Sequence, residues 1–361
     1  MKIIKLLFGL LISLIIIIPN QGRSQENDIL NNFKIKGTVD AYYAWDTDKD
    51  KIQRQFASFE PFRDQFKLNI AQVSLSYNSE TVRGKMTLQY GDIPAVNWPS
   101  NMQNIQEANI GFSPYKNLWI DAGYFITFIG AEGMPINSFF SSFAMGSYYA
   151  PFYESGLKIG YDFSEKFSSC LHIVNGYNIL EDNNKNKSLG FELTYKPTSK
   201  ISFDYNVILG NEMPTPLNNP KVRIFNDLFI NYAPAEKLDL ILGVDFATQE
   251  KSKITDSTSS AAMFSTFLSG RYKITPKFFF SVRAEYFSDA DGFLSGTFTG
   301  DDGKLSGLKI WGLTGAFEYR PIENYYLRLE SRFLSADSKL KIFSENSNSR
   351  TEATINMGFE F

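Results

Sequence analysis

What most constrains this chain is a repeat of pattern rather than of sequence. Short runs of alternating residues end, again and again, in an aromatic on the apolar face: Tyr77, Phe112, Phe163, Tyr195, Tyr232, Tyr272, Tyr319 and Phe361. Between one of these and the next lie a short turn, a second alternating run and a long polar loop. Alternation with period two marks a strand with one dry and one wet face. Aromatics repeated at one level of the dry face suit a sheet that meets lipid at a fixed depth. Such a sheet must close on itself, because hydrocarbon offers no partner to an unpaired backbone N–H or C=O.

The alternation is explicit in several runs. Phe33, Ile35, Val39, Ala41, Tyr43 and Trp45 form an outward set against Lys34, Lys36, Thr38, Asp40 and Tyr42. Ile201, Phe203, Tyr205, Val207 and Leu209 alternate with Ser202, Asp204 and Asn206. The last run sets Ala353, Ile355, Met357, Phe359 and Phe361 against Glu352, Thr354, Asn356, Gly358 and Glu360. The whole series predicts strands near 33–46, 66–78, 80–91, 103–113, 117–127, 152–163, 166–176, 186–196, 200–210, 222–233, 237–247, 260–272, 277–288, 308–319, 324–335 and 350–361. That is about sixteen, an even number as single-chain bacterial barrels require. Alternation slips at Ile70–Ala71 and at Ile224–Asn226, where bulges are expected.

Connections alternate strictly between short ones, such as Asn78–Glu80 and Arg320–Glu323, and long ones, which begin after Asp46, Gly91, Thr127, Gly176, Gly210, Thr248, Ser288 and Ser335. Short periplasmic turns opposite long external loops are the asymmetry of outer-membrane barrels. Trp45, Tyr90, Phe246, Tyr286 and Phe333 supply a second aromatic level at the loop end. The predicted fold is therefore all-β: one transmembrane, antiparallel, up-and-down β-barrel over residues 25–361. Composition agrees. The chain is 43% hydrophobic and 16% aromatic, yet its mean hydropathy is only −0.21. Helical membrane proteins need spans of about 20 apolar residues and would not average so polar.

Residues 1–24 stand apart, with Lys2 and Lys5 before an apolar stretch from Leu6 to Ile18 and small Gly22 and Ser24 before the expected cut. This is a secretory signal peptide, and it directs the chain to the outer membrane of a Gram-negative bacterium. Its loss removes Lys2, Lys5 and Arg23 and takes the formal charge of −3 to −6, which argues against nucleic acid as a partner. Cys170 is the only cysteine, so no internal disulfide is expected; it is read as an unreactive strand residue.

Asn69-Ile-Ala-Gln-Val-Ser-Leu-Ser-Tyr77 and Val82-Arg-Gly-Lys-Met-Thr-Leu-Gln-Tyr-Gly91 make one hairpin. Ile105-Gln-Glu-Ala-Asn-Ile-Gly111, Leu118-Trp-Ile-Asp-Ala-Gly123, Phe128-Ile-Gly-Ala-Glu132, Glu154-Ser-Gly156 and Asn175-Gly176 follow. These segments, about a third of the chain, resemble the OmpL-like β-barrel porin family common in Bacteroidetes. The resemblance implies a porin-type channel. Relatives often carry an Arg-Ser pair late in the third long loop; here the region reads Phe140-Ser-Ser-Phe-Ala-Met145, without an arginine.

A barrel of this strand number encloses room for water, so function is sought among lumen side chains and inward loops. Loop 128–151 is rich in apolar groups (Met134, Ile136, Phe139, Phe140, Phe143, Met145) and glycines. It is expected to fold inward and narrow the pore, with Glu132, Asn137, Ser141 and Ser142 at the constriction. Inward acids Glu107, Asp121, Glu154, Glu192, Asp204, Asp239 and Asp245 are expected to form one wall. Inward bases Lys34, Lys36, Arg83, Lys85, Arg271, Arg283, Lys309, Arg328 and Arg332 are expected to form the other. Opposed walls would set up a transverse field that orients dipolar solutes. A phosphate-selective ladder is disfavoured, because Glu285 and Glu330 interrupt the arginines.

His172 is the sole histidine; any Ser–His or Cys–His catalytic device would have to use it. It is read as a hydrogen-bonded wall residue, and no enzymatic activity, cofactor or metal is expected. Asp46, Asp48 and Asp50, and the loop acids Asp289, Asp291, Asp301 and Asp302, are read as solvated. Phe361, with Phe359 and Met357, resembles the terminal signal read by the outer-membrane assembly machinery. Expected partners are that machinery, outer-membrane lipid and lipopolysaccharide, and small hydrophilic solutes. Porins of this size often form homo-oligomers, although no interface stripe stands out. The reading is a passive diffusion channel; the rival is a non-conducting barrel serving as a scaffold or adhesin.

Overall fold

A computed structural model describes residues 30–214 and 219–361; the proposed signal peptide lies outside the described residues. The strands are β1 (Phe33–Asp46), β2 (Phe66–Asn78), β3 (Val82–Tyr90), β4 (Ile105–Tyr115), β5 (Leu118–Ile126) and β6 (Tyr153–Ser164). They continue with β7 (Phe167–Val174), β8 (Ser188–Thr198), β9 (Ile201–Asn211), β10 (Val222–Ala235), β11 (Leu238–Gln249) and β12 (Ala261–Lys273). The last are β13 (Phe278–Ser288), β14 (Phe298–Thr299), β15 (Leu305–Ser306), β16 (Lys309–Tyr319), β17 (Tyr325–Ala336) and β18 (Ser349–Glu360). All but β14 and β15, a small hairpin within a loop, join one closed antiparallel barrel.

Sequence neighbours pair throughout, and β1 closes on β18 from Thr38↔Glu360 to Asp46↔Glu352. Closure leaves no strand edge, the condition that a hydrocarbon surrounding imposes. The seam is finished by Phe361, which exchanges backbone hydrogen bonds with Gly37 at 2.8 and 2.9 Å. Its ring lies over that glycine, so a Cβ at position 37 would sit 2.3 Å from the ring. Short and long connections alternate as the sequence predicts.

The outward face is apolar. Val39, Trp45, Leu268, Leu313, Phe317, Leu329, Ile355 and Met357 are all exposed on it. Phe112, Phe163, Tyr195, Tyr232 and Tyr272 are exposed at the short-turn end, and Trp45, Tyr90, Phe246, Tyr286 and Phe333 at the loop end. Lys309 corrects an expectation. It is exposed on the same outward side as Trp311 and Leu313, while Ile310 turns inward and is buried. At the rim of a strand a lysine reaches water from the outer face, its stem lying along apolar surface.

Of the two expected bulges one is present and one is not. Asp40 pairs with Ile70 and Ala41 with Leu68, leaving Asn69 as the extra residue. Across Ile224–Asn226 the register is continuous on both sides. There Phe225 faces inward and packs against Tyr177 (5.5 Å between ring centroids), while outward Asn226 accepts a hydrogen bond from Tyr205 Oη at 2.8 Å. An apolar residue on the wet face and an amide on the dry one imitate a slip of register.

The loop-end half of the barrel interior is not simply water-filled. Inward residues Ile208, Phe225, Met263, Phe287, Ile310 and Leu334 pack with the loop residues Phe56, Met145, Tyr177, Leu340 and Phe343 into one buried cluster. Gly37→Leu would push the Phe361 ring off the seam. Because overpacking costs about 1–3 kcal/mol, the variant is expected to unfold at lower temperature than the parent in detergent, read from heat-modifiable gel migration. An unchanged transition would show that the ring is idle there.

Candidate functional site

Segment 128–151 enters the barrel because both ends of its polar backbone find partners on opposite inner walls. Near its start, Gly130 N donates to Asp227 Oδ2 at 2.9 Å; the backbone there has φ +97°, a conformation glycine tolerates. A short 3₁₀ turn, Pro135–Asn137, presents carbonyls to the far side, where Arg328 donates to Pro135 O at 2.9 Å and Ser138 O at 2.7 Å. Ser141 N and Ser142 N donate to Glu330 at 2.6 and 3.2 Å. Met145 N, opening the short helix Met145–Tyr149, donates to Glu285 at 2.6 Å. Gly146 is needed because a Cβ there would fall 2.0 Å from Ser265 Oγ and 2.4 Å from Asp245 Oδ2.

Arg283 is the centre of this docking. It pairs with Glu132 at 2.6 Å and donates to Ser142 O and Oγ at 2.8 and 2.9 Å. Arg332 forks onto Glu285, two bonds of 3.0 Å, and Arg328 pairs with Glu318. Arg283, Arg328 and Arg332 are 0, 0 and 2% exposed. The expectation that they line the pore is not met: all three are buried, the loop contacts Arg283 and Arg328, and carboxylates of the same wall pair with each. Glu154, Asp245 and Ser141 are likewise buried rather than water-facing. A buried ion pair is a poor source of net stability, but removing one partner is costly, so such a lattice fixes one geometry.

A second inward segment was missed by sequence reasoning. In loop 47–65, Arg54 pairs with Asp46 at 3.1 Å and with Glu352, and Arg63 pairs with Asp46 at 3.0 Å. Arg350 meets Glu352 at 2.6 Å. Asp46 and Asp48 are therefore buried arginine and backbone partners, Asp48 accepting from Ser344 N at 3.1 Å. Asp289 accepts backbone hydrogen bonds from Phe293, Leu294 and Ser295 at 3.2, 2.8 and 2.8 Å and is also buried. None of the three is a solvated loop acid. The available signal was Arg54 and Arg63 interleaved with Phe56, Phe59 and Phe62, a composition ill suited to a loop lying in water.

Glu60 of the same loop sits under this cover. Its Oε1 accepts from Asn69 at 2.7 Å and Asn356 at 2.8 Å, while Oε2 has no partner among the described residues. Burial, with Asp40 and Glu330 nearby, raises its carboxyl well above the usual carboxylate range.

The open space lies toward the short turns. A cavity of about 680 Å³ is lined by Lys34, Lys36, Arg83, Lys85, Glu107 and Asp121, with Asn137 and Glu132 in its roof. Within it the charges pair across strands: Arg83 with Asp121, Lys85 with Glu107, and Lys36 with Glu360 at 3.3 Å. A second cavity, about 740 Å³, holds Asp239 and meets the other side of Asn137. Arg271 pairs with Glu318, and Asp204 accepts from Thr194 Oγ1 at 2.7 Å. His172 is buried with no hydrogen-bond partner on either ring nitrogen among the described residues. This departs from the satisfied wall residue expected. Glu192 is its neighbour, Oε2 lying 3.4 Å from Nε2.

Two measurements test this interior. Arg283→Ala strands Glu132, whose pairing cation it removes, and a broken buried pair costs about 3–5 kcal/mol; the urea midpoint of the detergent-held barrel should fall accordingly. A surface-like change below about 1 kcal/mol would contradict the buried geometry. For Glu60, a folded-state value above the unfolded one favours the protonated, docked loop. The stabilisation is complete below the unfolded pKa of about 4.3 and is lost as pH rises through the elevated folded value. Proteolytic nicking within 47–65 should therefore increase with pH, and Glu60→Gln should flatten the dependence. Protection that grows with pH would refute it.

Comparison with known proteins now adds the lineage. Residues 32–361 match the family described as "Putative beta-barrel porin-2, OmpL-like". No curated protein matches the chain by sequence. Among solved structures, the outer membrane channel DcaP of Acinetobacter baumannii superposes with a TM-score of 0.63 at 12% identity, covering 91% of this chain and 97% of that one. An anion-selective porin from Comamonas acidovorans gives 0.61 at 9% identity, with 91% and 99% covered. The trimer form of OmpT of Vibrio cholerae gives 0.58 at 10%, with 91% and 99% covered. Likeness at these identities is one of fold. The family match covers nearly the whole chain, and this protein belongs to the OmpL-like β-barrel porin family.

Proposed function

We propose that this barrel is an outer-membrane channel for passive diffusion of small hydrophilic solutes or ions, narrowed by segment 128–151. The observation that carries the reading is the 680 Å³ cavity inside a porin-family barrel, walled by paired charges and roofed by that segment. Charges facing water across a narrow lumen keep it hydrated and act with less screening than on an open surface. Glu132, Asn137, Ser141 and Ser142 belong to the narrowing segment in different ways. Asn137 is the exposed member; Glu132, Ser141 and Ser142 hold the segment to the wall through Arg283 and Glu330. The transverse field is not retained: Arg83 and Lys85 pair with Asp121 and Glu107 on the neighbouring strands β3, β4 and β5, so the charges of the lower cavity lie side by side on one stretch of wall. Export by residues 1–24, and assembly guided by Met357, Phe359 and Phe361, belong to the same reading, as does assembly into a homo-oligomer. The chemistry is transport and not catalysis.

One observation favours the rival, a non-conducting scaffold: the apolar cluster filling the loop-end half of the interior. Liposome swelling with sugars of graded size separates the two. The channel reading predicts entry of the smallest sugars through the intact chain, and entry of larger ones when residues 133–143 are replaced by a short Gly/Ser linker. A barrel that passes solute only after the replacement supports the scaffold. In planar bilayers, Lys34→Gln with Lys36→Gln should move the reversal potential toward cation preference; no movement would remove the charge-lined cavity from the route.

A further inference from the structure

We infer that Cys170, His172 and Glu192 form a binding site for a borderline-soft divalent transition metal, of which Zn²⁺ is the type. Sheet geometry assembles the three. Cys170 and His172 are two apart on β7 and share a face, and Glu192 lies directly opposite Cys170 across the β7–β8 ladder. Their sulfur, nitrogen and oxygen donors all lie within 4.8 Å of one another. Metal bonds of about 2.0–2.3 Å to such donors bring neighbouring ligands to about 3–4 Å apart. Nε2 and Glu192 Oε2, at 3.4 Å, already have that spacing. Glu192 is partly exposed and Cys170 is half-buried, so side-chain rotation can complete the set.

The imidazole supplies the independent evidence. His172 is 0% exposed, and among the described residues neither ring nitrogen has a well-aligned hydrogen-bond partner, Glu192 Oε2 standing 3.4 Å from Nε2. An unsatisfied buried donor or acceptor costs about 1–3 kcal/mol, and a metal on Nε2 removes that cost. The ring is also held in place. Phe128 stacks on it with centroids 3.9 Å apart and planes 25° from parallel. Gly190, paired with His172 on β8, makes room for that stack: a Cβ there would lie 2.5 Å from Phe128 Cζ. On the other nitrogen, Glu154 Oε2 stands 3.9 Å from Nδ1, beyond hydrogen-bond distance but on the side from which a carboxylate orients a metal-bound histidine.

Donor chemistry sets the class of ion. Sulfur and imidazole nitrogen select zinc or copper over the oxygen-seeking Ca²⁺ and Mg²⁺. Three protein ligands leave a fourth tetrahedral position for water from the lumen. One charge opposes binding, Lys158, which pairs with His172 across β6–β7. Its ammonium lies over the Phe125 ring, 4.4 Å from the centroid. The site stands whether or not the barrel conducts.

The test is Co²⁺ titration of the full-length barrel, folded in detergent and held reduced. One equivalent should bind per chain with a thiolate-to-cobalt charge-transfer band that Zn²⁺ displaces. Cys170→Ser should abolish the band. His172→Gln and Glu192→Gln should weaken binding by at least the roughly 10–100-fold that loss of a supporting residue costs, and Glu165→Gln, in a short turn, should not. Should the buried His172→Gln variant fail to fold, Glu192→Gln decides, since its position is partly exposed. A parent chain with no charge-transfer band at saturating Co²⁺, or a band of undiminished affinity in Glu192→Gln, overturns the site.

Discussion

Everything in this molecule depends on a backbone constraint: no amide may face hydrocarbon unpaired. The ladder between β1 and β18 meets that constraint, and its last bonds tie Phe361 to Gly37. Closure then dictates the side chains. Outward positions must be apolar because lipid is their solvent, and inward positions must be hydrated, filled or paired. The aromatic levels at the two ends, Tyr195 and Tyr232 below and Trp45 and Phe246 above, follow from the same cylinder meeting two interfaces.

The interior meets its half of the bargain in two different ways. Toward the long loops it is filled, with inward Phe225, Phe287 and Leu334 packed against loop residues as in a soluble core. Toward the short turns it is open and charged. Between the two lies a band of arginine–carboxylate contacts: Arg283 with Glu132, Arg332 with Glu285, Arg54 with Asp46. Because a buried ion pair specifies geometry more than it stabilises, this band is best understood as the device that positions segments 47–65 and 128–151. Whatever crosses the barrel must pass what those segments leave.

The strands were legible in the sequence because period-two alternation is a local signal, and lipid on one face makes it unusually clean. What the alternation could not convey was partnership. Nothing near Arg283 reveals that its partner, Glu132, lies 151 residues earlier in a loop. Asp46 and Asp48 read as solvated for the same reason: Arg63 and Arg350 reach them only once loop 47–65 folds inward. Local pattern also misled at Phe225–Asn226, where a residue packing against a loop and an amide facing out imitated a bulge. Lys309 misled at a strand end, where a long side chain reaches water from either face. The inward course of segment 128–151 follows from its apolar residues, but its docking points, Glu330 and Arg283, lie far away in the chain.

The most direct test of this arrangement is chemical reactivity at two neighbouring positions of that segment. In a Cys170→Ser background, Asn137→Cys and Ser141→Cys place single thiols on the exposed and the buried side of the same loop. With a small water-soluble maleimide on folded protein, the account predicts rapid labelling at 137 and almost none at 141 until the barrel is denatured. Rapid labelling at both positions would mean that the segment is not docked on Arg283 and Glu330, and the account of the interior would be wrong.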